Sequence, residues 1–277
     1  MRDNEERFGP PPSDDGATSN AQTNLEFSVP TEIVELPSAG KFYPPSHPLH
    51  GKDSVEIKFM TAKEEDLLTS KALIKRGVAI DRMLQNLIID KNIKIEDLLI
   101  GDKNAITVAS RISGYGDDYE IAVTCPSCEE KSKHSFNLSL IKNKELEDIS
   151  SLPIELNKDG TFTILLLKTD VHVTFRLLTG KDESEIIRSM SDKKIVREEK
   201  NSTSQLKRTI VSVEGNSEKS FIDKFVDNLP VIDAKLLRNA VRKLTPDVDM
   251  SQEFSCPSCG HEEEVEIPFT VEFFWPK

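Results

Sequence analysis

The chain reads as an α+β protein built from two tandem, pseudo-symmetric copies of one module. Three observations predict it. The segment VEIKFMTAKEE (Val55–Glu65) returns as VTFRLLTGKDE (Val173–Glu183), 118 positions later. The stretch from Asp102 to Cys128 returns from Asp233 to Cys259, 131 positions later, and both stretches end in C-P-S-C. Each copy also orders its hydropathy in the same way, from a strand-like period of two to a helical period and back to short strands.

The correspondence is residue by residue. In the first pair of blocks Val, Thr, Lys and Glu recur unchanged, while Lys58/Arg176 and Glu64/Asp182 keep their charge. Ile57/Phe175, Phe59/Leu177 and Met60/Leu178 keep apolar character; Glu56/Thr174 departs from the pattern. In the second pair Asp102/Asp233, Ala109/Ala240, Arg111/Arg242 and Asp118/Asp249 match. The offset grows by 13, from 118 to 131, so the second copy carries extra residues between the blocks. The polar segment Ser189–Ser204 is their natural place.

Taken in order, residues 1–28 are rich in Pro, Asp, Gly, Ser, Thr and Asn. They hold too little apolar surface to offset the entropy of ordering and read as a disordered acidic arm. Residues 29–52 read as an extended Pro-rich segment, because the prolines of Glu35–Pro48 exclude a helix. A turn is expected at Ser38–Gly40, and Phe42 and Tyr43 anchor the segment on its own domain or on a partner. Residues 53–145 form the first repeat and 165–277 the second.

Each repeat opens with a strand, Val55–Ile57–Phe59 and Val173–Phe175–Leu177. Thr61…Glu64 then reads as a capping box, and Thr179…Asp182 places an acid where it complements the helix dipole. Ile80, Met83, Leu84, Leu87 and Ile88 lie on one helical face. A last helix opens at Asp102 and at Asp233. It carries Ala105, Ile106, Ala109 and Ile112 in one copy, Leu236, Leu237, Ala240, Val241 and Leu244 in the other. Gly114 and Pro246 stop these helices. A short strand enters each C-P-S-C, and a strand leaves it over Lys133–Leu140 and Glu264–Phe273.

The four cysteines, Cys125, Cys128, Cys256 and Cys259, all lie in the two C-P-S-C motifs. Two C-x-x-C pairs without an export signal point to a metal rather than to disulfides. Zinc takes four thiolates in a closed structural site, and one such turn supplies half of it. The 127 residues between Cys128 and Cys256 exceed a compact zinc-ribbon spacing. A duplication removes that objection, since equivalent loops meet where two copies pack about a pseudo-two-fold axis. One structural zinc per chain is therefore expected on all four cysteines. Three other readings stay open. Each turn could bind its own metal with His134 or His261 as a third ligand; the thiols could be redox-active; or the site could be vestigial. His261 otherwise reads as an exposed loop residue and Glu262–Glu264 as a solvated hairpin edge.

Composition restricts the function classes. The chain holds 36 Lys and Arg against 48 Asp and Glu, a net charge of -12, with no basic run. Phosphate backbones repel such a surface, which disfavours nucleic acid as a partner. The longest apolar run, Phe162–Leu167, reads as a strand and falls far short of the roughly 18 residues of a membrane span. The charged N-terminus is no secretory signal. Motifs for phosphate loops, dinucleotide sites, zinc proteases and serine hydrolases are missing, and four thiolates leave zinc no open position, so a non-enzyme is expected. The competing readings are a zinc-ribbon nucleic-acid or transcription module and a zinc or redox enzyme. The first needs a basic face, whereas Glu129, Glu130, Glu262, Glu263 and Glu264 flank the turns.

Three stretches carry a family resemblance: LPSAGKFYPPSHPL (Leu36–Leu49), EIKFMTAKEEDLLTS (Glu56–Ser70) and GDKNAITVASRISGYGDDYE (Gly101–Glu120) running into CPSC. With them the chain resembles the baseplate hub and hub-assembly proteins of T4-like tailed bacteriophages. The likeness covers Leu36 to Cys128; the second half rests on the internal repeat. It implies a component or assembly factor of the central hub of a contractile tail. Its partners would be other hub and tail proteins, with no small-molecule substrate, no membrane and no catalytic residues. Its place would be the virion tail baseplate, or the host cytoplasm during assembly. EFFWP (Glu272–Pro276) is then either a docking element for neighbours or a final strand tucked into the chain's own core.

Overall fold

The computed structural model describes residues 29–145, 153–191, 202–269 and 273–275. The expected arm over residues 1–28 lies outside them, as does most of the expected insertion at Ser189–Ser204.

The first apolar alternation makes a hairpin. β1 (Thr31–Glu35) pairs antiparallel with β2 (Ser54–Lys58), and Val34, Val55 and Ile57 turn their side chains into the core. The Pro-rich segment is therefore not extended beyond β1, which corrects the reading of residues 29–52. It folds into successive tight turns, with the amides of Ala39, His47 and Lys52 each donating three residues back, to Leu36, Pro44 and Leu49. The expected turn at Ser38–Gly40 is among them; Ala39 and Gly40 take φ of 46° and 69°. Burial of Leu36, Tyr43 and Leu49 draws the loop inward onto its own chain.

Helices α1 (Ala62–Thr69), α2 (Lys71–Lys75) and α3 (Ala79–Leu87) follow. The α3 face is as expected, with Met83, Leu84, Leu87 and Ile88 fully buried. α4 (Ile100–Tyr115) starts two residues before Asp102 and runs through Gly114, which corrects the expected stop. It ends at Gly116, whose φ of 84° suits glycine. Gly114 is small for a different reason: a Cβ there would come 3.0 Å from the end of Met60.

β3 (Asp118–Thr124) and β4 (Lys131–Asn137) form the first cysteine hairpin, and β5 (Lys142–Asn143) follows. β6 (Ile154–Leu156), β7 (Phe162–Leu166) and β8 (Val171–Phe175) open the second half. α5 (Gly180–Ser191), α6 (Ser202–Thr209) and β9 (Ile210–Val213) come next, and the sheet has the order β6-β7-β8-β9, all antiparallel. α7 (Lys219–Asp227) and α8 (Val231–Leu244) lead to β10 (Val248–Asp249) and the second cysteine hairpin, β11 (Ser251–Ser255) with β12 (Glu262–Glu266). The outgoing strands thus begin two residues earlier than expected and end sooner, β12 well short of Phe273.

Polar anchors recur at matching positions. The Thr61 amide and hydroxyl both donate to Glu64, which also pairs with Lys58 at 2.9 Å. The Thr179 amide and hydroxyl donate to Asp182, which takes a forked pair of bonds from Arg176 at 2.6 and 2.7 Å. Asp102 accepts from the Ser38 amide, the Ser38 hydroxyl and the Tyr43 hydroxyl. Asp233 accepts from the Lys168 and Thr169 amides and the Thr169 hydroxyl. In both halves a carboxylate in the first turn of the last helix thus ties down the loop of the leading hairpin.

Burial would raise the Asp182 carboxyl, but the bonds from Arg176 and Thr179 hold it below the usual carboxylate range. A depressed folded value gives stability that is complete above the ordinary Asp value of about 4 and is lost as pH falls through the folded value. Asp182→Asn should therefore flatten the decline in stability below about pH 4, measured by denaturant unfolding across the acid range.

One apolar core runs through both halves. The chain of contacts between them is tight. The Ile100 amide donates to Leu178 O (3.2 Å), and the Gly180 amide to Leu98 O (2.8 Å). Lys103, nearly buried, sits 2.6 Å from both Asp81 and Glu183. β5 pairs with β10. Of EFFWP, the described residues Phe273 to Trp275 pack into the chain's own core, where Phe273 and Phe274 are buried. Buried Arg111 fixes them: its Nε donates to Phe273 O at 2.7 Å, and its other nitrogens to Gly116 O and Asp118 O.

Candidate metal centre

Each C-P-S-C closes a hairpin with the same backbone pattern. The Cys125 amide donates to Glu130 O and the Glu129 amide back to Cys125 O, both at 2.9 Å. In the second hairpin the Cys256 amide donates to His261 O (2.8 Å) and the Gly260 amide to Cys256 O (2.9 Å). The turn requires a left-handed residue after the second cysteine, and Glu129 (φ 59°) and Gly260 (φ 70°) supply it.

The two hairpins bring all four expected cysteines together. Cys125 Sγ lies 3.8 Å from Cys259 Sγ and Cys128 Sγ 3.7 Å from Cys256 Sγ, and the four sulfurs lie within 4.8 Å of one another. A regular tetrahedron with zinc–sulfur bonds of about 2.3 Å has edges of about 3.8 Å, so the cluster fits that ion. Cys125 and Cys256 are buried and Cys128 and Cys259 face outward. Phe254 packs beneath the two buried cysteines, with Val123 and Val265 against it.

The thiols are electrostatically unlike. The amides of Cys259 and Ser258 aim at the Cys256 sulfur and hold its thiol down to about 6. At Cys128 the Glu130 amide works the same way, but the Cys259 sulfur, desolvation and the other two sulfurs together outweigh it and push the thiol up to about 12. Sulfurs at this separation ionise together only around a cation.

The histidines proposed as alternative ligands stand apart from the sulfur cluster. The His134 ring packs on Phe136 and Phe254, with centroids 4.6 and 5.3 Å away. His261 Nε2 is 3.4 Å from Glu263. Sequence reasoning missed the clasp between the hairpins: Gln252 Nε2 donates to Asn137 O (2.6 Å), and the Asn137 amide donates to Gln252 Oε1 (3.2 Å). No local signal marks a glutamine for this role. Gln252→Ala orphans both Asn137 groups, so it should cost about 1–3 kcal/mol and speed metal loss to a chelator, followed by a colorimetric zinc indicator.

Fold and cluster together define an α+β scaffold whose two distant hairpins converge on four thiols. The chain belongs to the T4 bacteriophage base plate protein family, whose model matches residues 29–275. Comparison with curated proteins and with solved structures finds no match in either. The family assigns a structural role in the phage baseplate. Among the described residues no helix is long and apolar enough to cross a membrane.

Proposed function

We propose that this protein is a non-enzymatic component or assembly factor of the central hub of a contractile-tail baseplate, stiffened by one structural zinc. The observation that carries the metal is the convergence of Cys125, Cys128, Cys256 and Cys259 within 4.8 Å. The chain is a doubled module, each copy comprising a strand, helices and a cysteine hairpin, with the repeats at residues 53–145 and 165–277. The recurring carboxylate anchors support that reading, as do the tails, for β5 crosses to β10 while Phe273 crosses to Arg111. Zinc binding then becomes folding energy, and the ion staples the two copies. The exposed acids beside the turns, Glu129, Glu130 and Glu262–Glu264, speak against a nucleic-acid module.

The partners are other hub and tail proteins, and the site of action is the tail baseplate or its assembly intermediates. Mass spectrometry of purified baseplates and hub intermediates tests this. The chain is expected in one or both, and deletion of its gene should stop tails before a complete hub forms. Presence in neither fraction would sink the assignment.

A further inference from the structure

The outer edge of β1 is open where its counterpart in the second half is covered. The Leu36 amide donates to Asp53 O and the Phe59 amide to Pro30 O, which makes Pro30–Phe59, Glu32–Ile57, Val34–Val55 and Leu36–Asp53 the hydrogen-bonded pairs of the first hairpin. The amides and carbonyls of Thr31, Ile33 and Glu35 therefore point away from β2. Among the described residues no strand pairs with that side, and none of these groups has a hydrogen-bond partner. The Ile33 side chain is 74% exposed. A cleft of about 530 Å³ runs beside the edge, with Glu32, Val34, Ile112 and Lys142 in its lining. Glu32 Oε1 is buried without a donor.

The second half shows what such an edge takes. Val34 faces Val55 as Ile164 faces Val173, which matches β1 to β7 at an offset of 130 positions and β2 to β8 at 118. On the inner side both halves are filled, because Ile88 and Ile89 bond to β2 as β9 bonds to β8. On the outer side β7 pairs with β6, the strand directly before it. The chain turns back there between Asn157 and Thr161, where Gly160 takes a φ of 80°. The first half has Pro30 at this place, 130 positions earlier. Proline holds φ at about -65°, so the segment before β1 cannot make the same return onto its own edge. That segment nevertheless alternates like a strand, with Leu25, Phe27 and Val29 at every second position.

We infer that residues 25–29 of one copy pair with the open edge of β1 in a second copy, and that the exchange is reciprocal and gives a two-fold dimer. The match of β1 to β7 rests on the doubled-module reading. A hinge that cannot close within one chain sends its strand to another. The ladder reaches Pro30, so residues 25–29 run on directly into β1. Laying 25–29 of one copy antiparallel to 31–35 of the other therefore sets the reverse pair side by side as well, with Pro30 at the axis. Proline suits that place, because the side of it that lacks an N–H faces β2. Outward groups belong to the odd-numbered residues on both strands, so Val29 meets Thr31, Phe27 meets Ile33 and Leu25 meets Glu35. Phe27 then covers the exposed Ile33, an aromatic ring on a β-branched side chain. Ser28 stands opposite Glu32, where its hydroxyl can donate to the orphaned oxygen.

Light scattering of the full chain over a concentration series tests this. Wild type should be a dimer. Phe27→Lys and Ile33→Asp should each weaken it at least about tenfold, because each change acts twice across the axis. Both should keep the wild-type zinc content, since Ile33 is exposed and residue 27 precedes the hairpin. Mixing the two variants should restore the dimer: one junction of the mixed pair is native, and the other sets opposite charges face to face. Val29→Asp/Pro30→Gly recreates the turn of Asp159 and Gly160 and should give a monomer. A wild-type monomer overturns the inference and leaves the metal and baseplate readings intact, whether the edge is then free, covered by the chain's own arm or given to another baseplate protein. A dimer that both single variants keep, or that their mixture fails to restore, overturns it too, because another face then holds the copies. If Ile33→Asp loses zinc through damage to β1, Phe27→Lys decides alone, a dimer kept at wild-type strength overturning the inference.

Discussion

Cys125→Ser is expected to remove zinc from the whole chain, and Cys256→Ser to do the same, although the two residues lie in hairpins far apart in sequence. A shared ion makes this prediction, because either change leaves three thiolates where four close the tetrahedron. Separate ions would behave differently: each variant would lose half the metal and keep the other half. Elemental analysis of the purified protein decides between them, with one zinc per chain expected for wild type and near none for either variant. The energetic effect should be large. Structural zinc contributes roughly 10–16 kcal/mol in small peptides whose fold depends on it. Here one apolar core already joins both halves, so a smaller loss, on the order of 4 kcal/mol, is expected, a fall in melting temperature of about 10 °C for a chain of this size. Chelation of the wild type should reproduce that fall. Zinc retained at full stoichiometry in both serine variants would end the shared-site reading.

Gly101→Ala should damage the fold about as severely without touching a ligand. A Cβ at this position would lie 1.9 Å from Pro246 O and 2.7 Å from the Asp247 Cα. Both are backbone atoms of the other half and cannot rotate away. To make room, the start of α4 must leave the segment that follows α8. That strains the Ile100–Leu178 bond, the Lys103 bridge to Asp81 and Glu183, and the Asn104 bond to Asp247 at 2.9 Å. The cost is expected at about 3–5 kcal/mol, in the range reserved for overpacking that also breaks a buried network. Gly114→Ala in the same helix is the control. Its Cβ meets the Met60 side chain and no backbone within that distance, at 3.0 Å from the terminal methyl and 3.3 Å from the Met60 Cβ, and alanine favours the helix by up to about 1 kcal/mol. Denaturant unfolding should therefore separate the two variants widely. Equal effects would show that helix propensity, and not the junction between halves, sets the response.

Much of the local structure was legible. The α3 face follows from its 3.6-residue period, and Thr61–Glu64 and Thr179–Asp182 follow from their spacing. The gathering of the cysteines was expected from ligand chemistry together with the two matching C-P-S-C blocks. The Pro-rich loop was misread because proline excludes a helix without choosing between an extended chain and a run of turns. The choice came from Tyr43 reaching Asp102, 59 positions away. Gly114 was misread as a stop because glycine serves equally for a helix end and for a close approach, and only Met60 tells them apart.

By itself the amino-acid sequence determined the class of elements, the capping acids and a ligand set suited to zinc, since all of these depend on spacing and side-chain chemistry. Tertiary structure alone decided that Gly101 abuts Pro246, that Lys103 sits between Asp81 and Glu183, that Gln252 clasps Asn137 and that Arg111 holds Phe273. Most of these contacts join residues at least 80 positions apart. No local period or propensity records them, because their energy exists only once packing has excluded water from between the two halves.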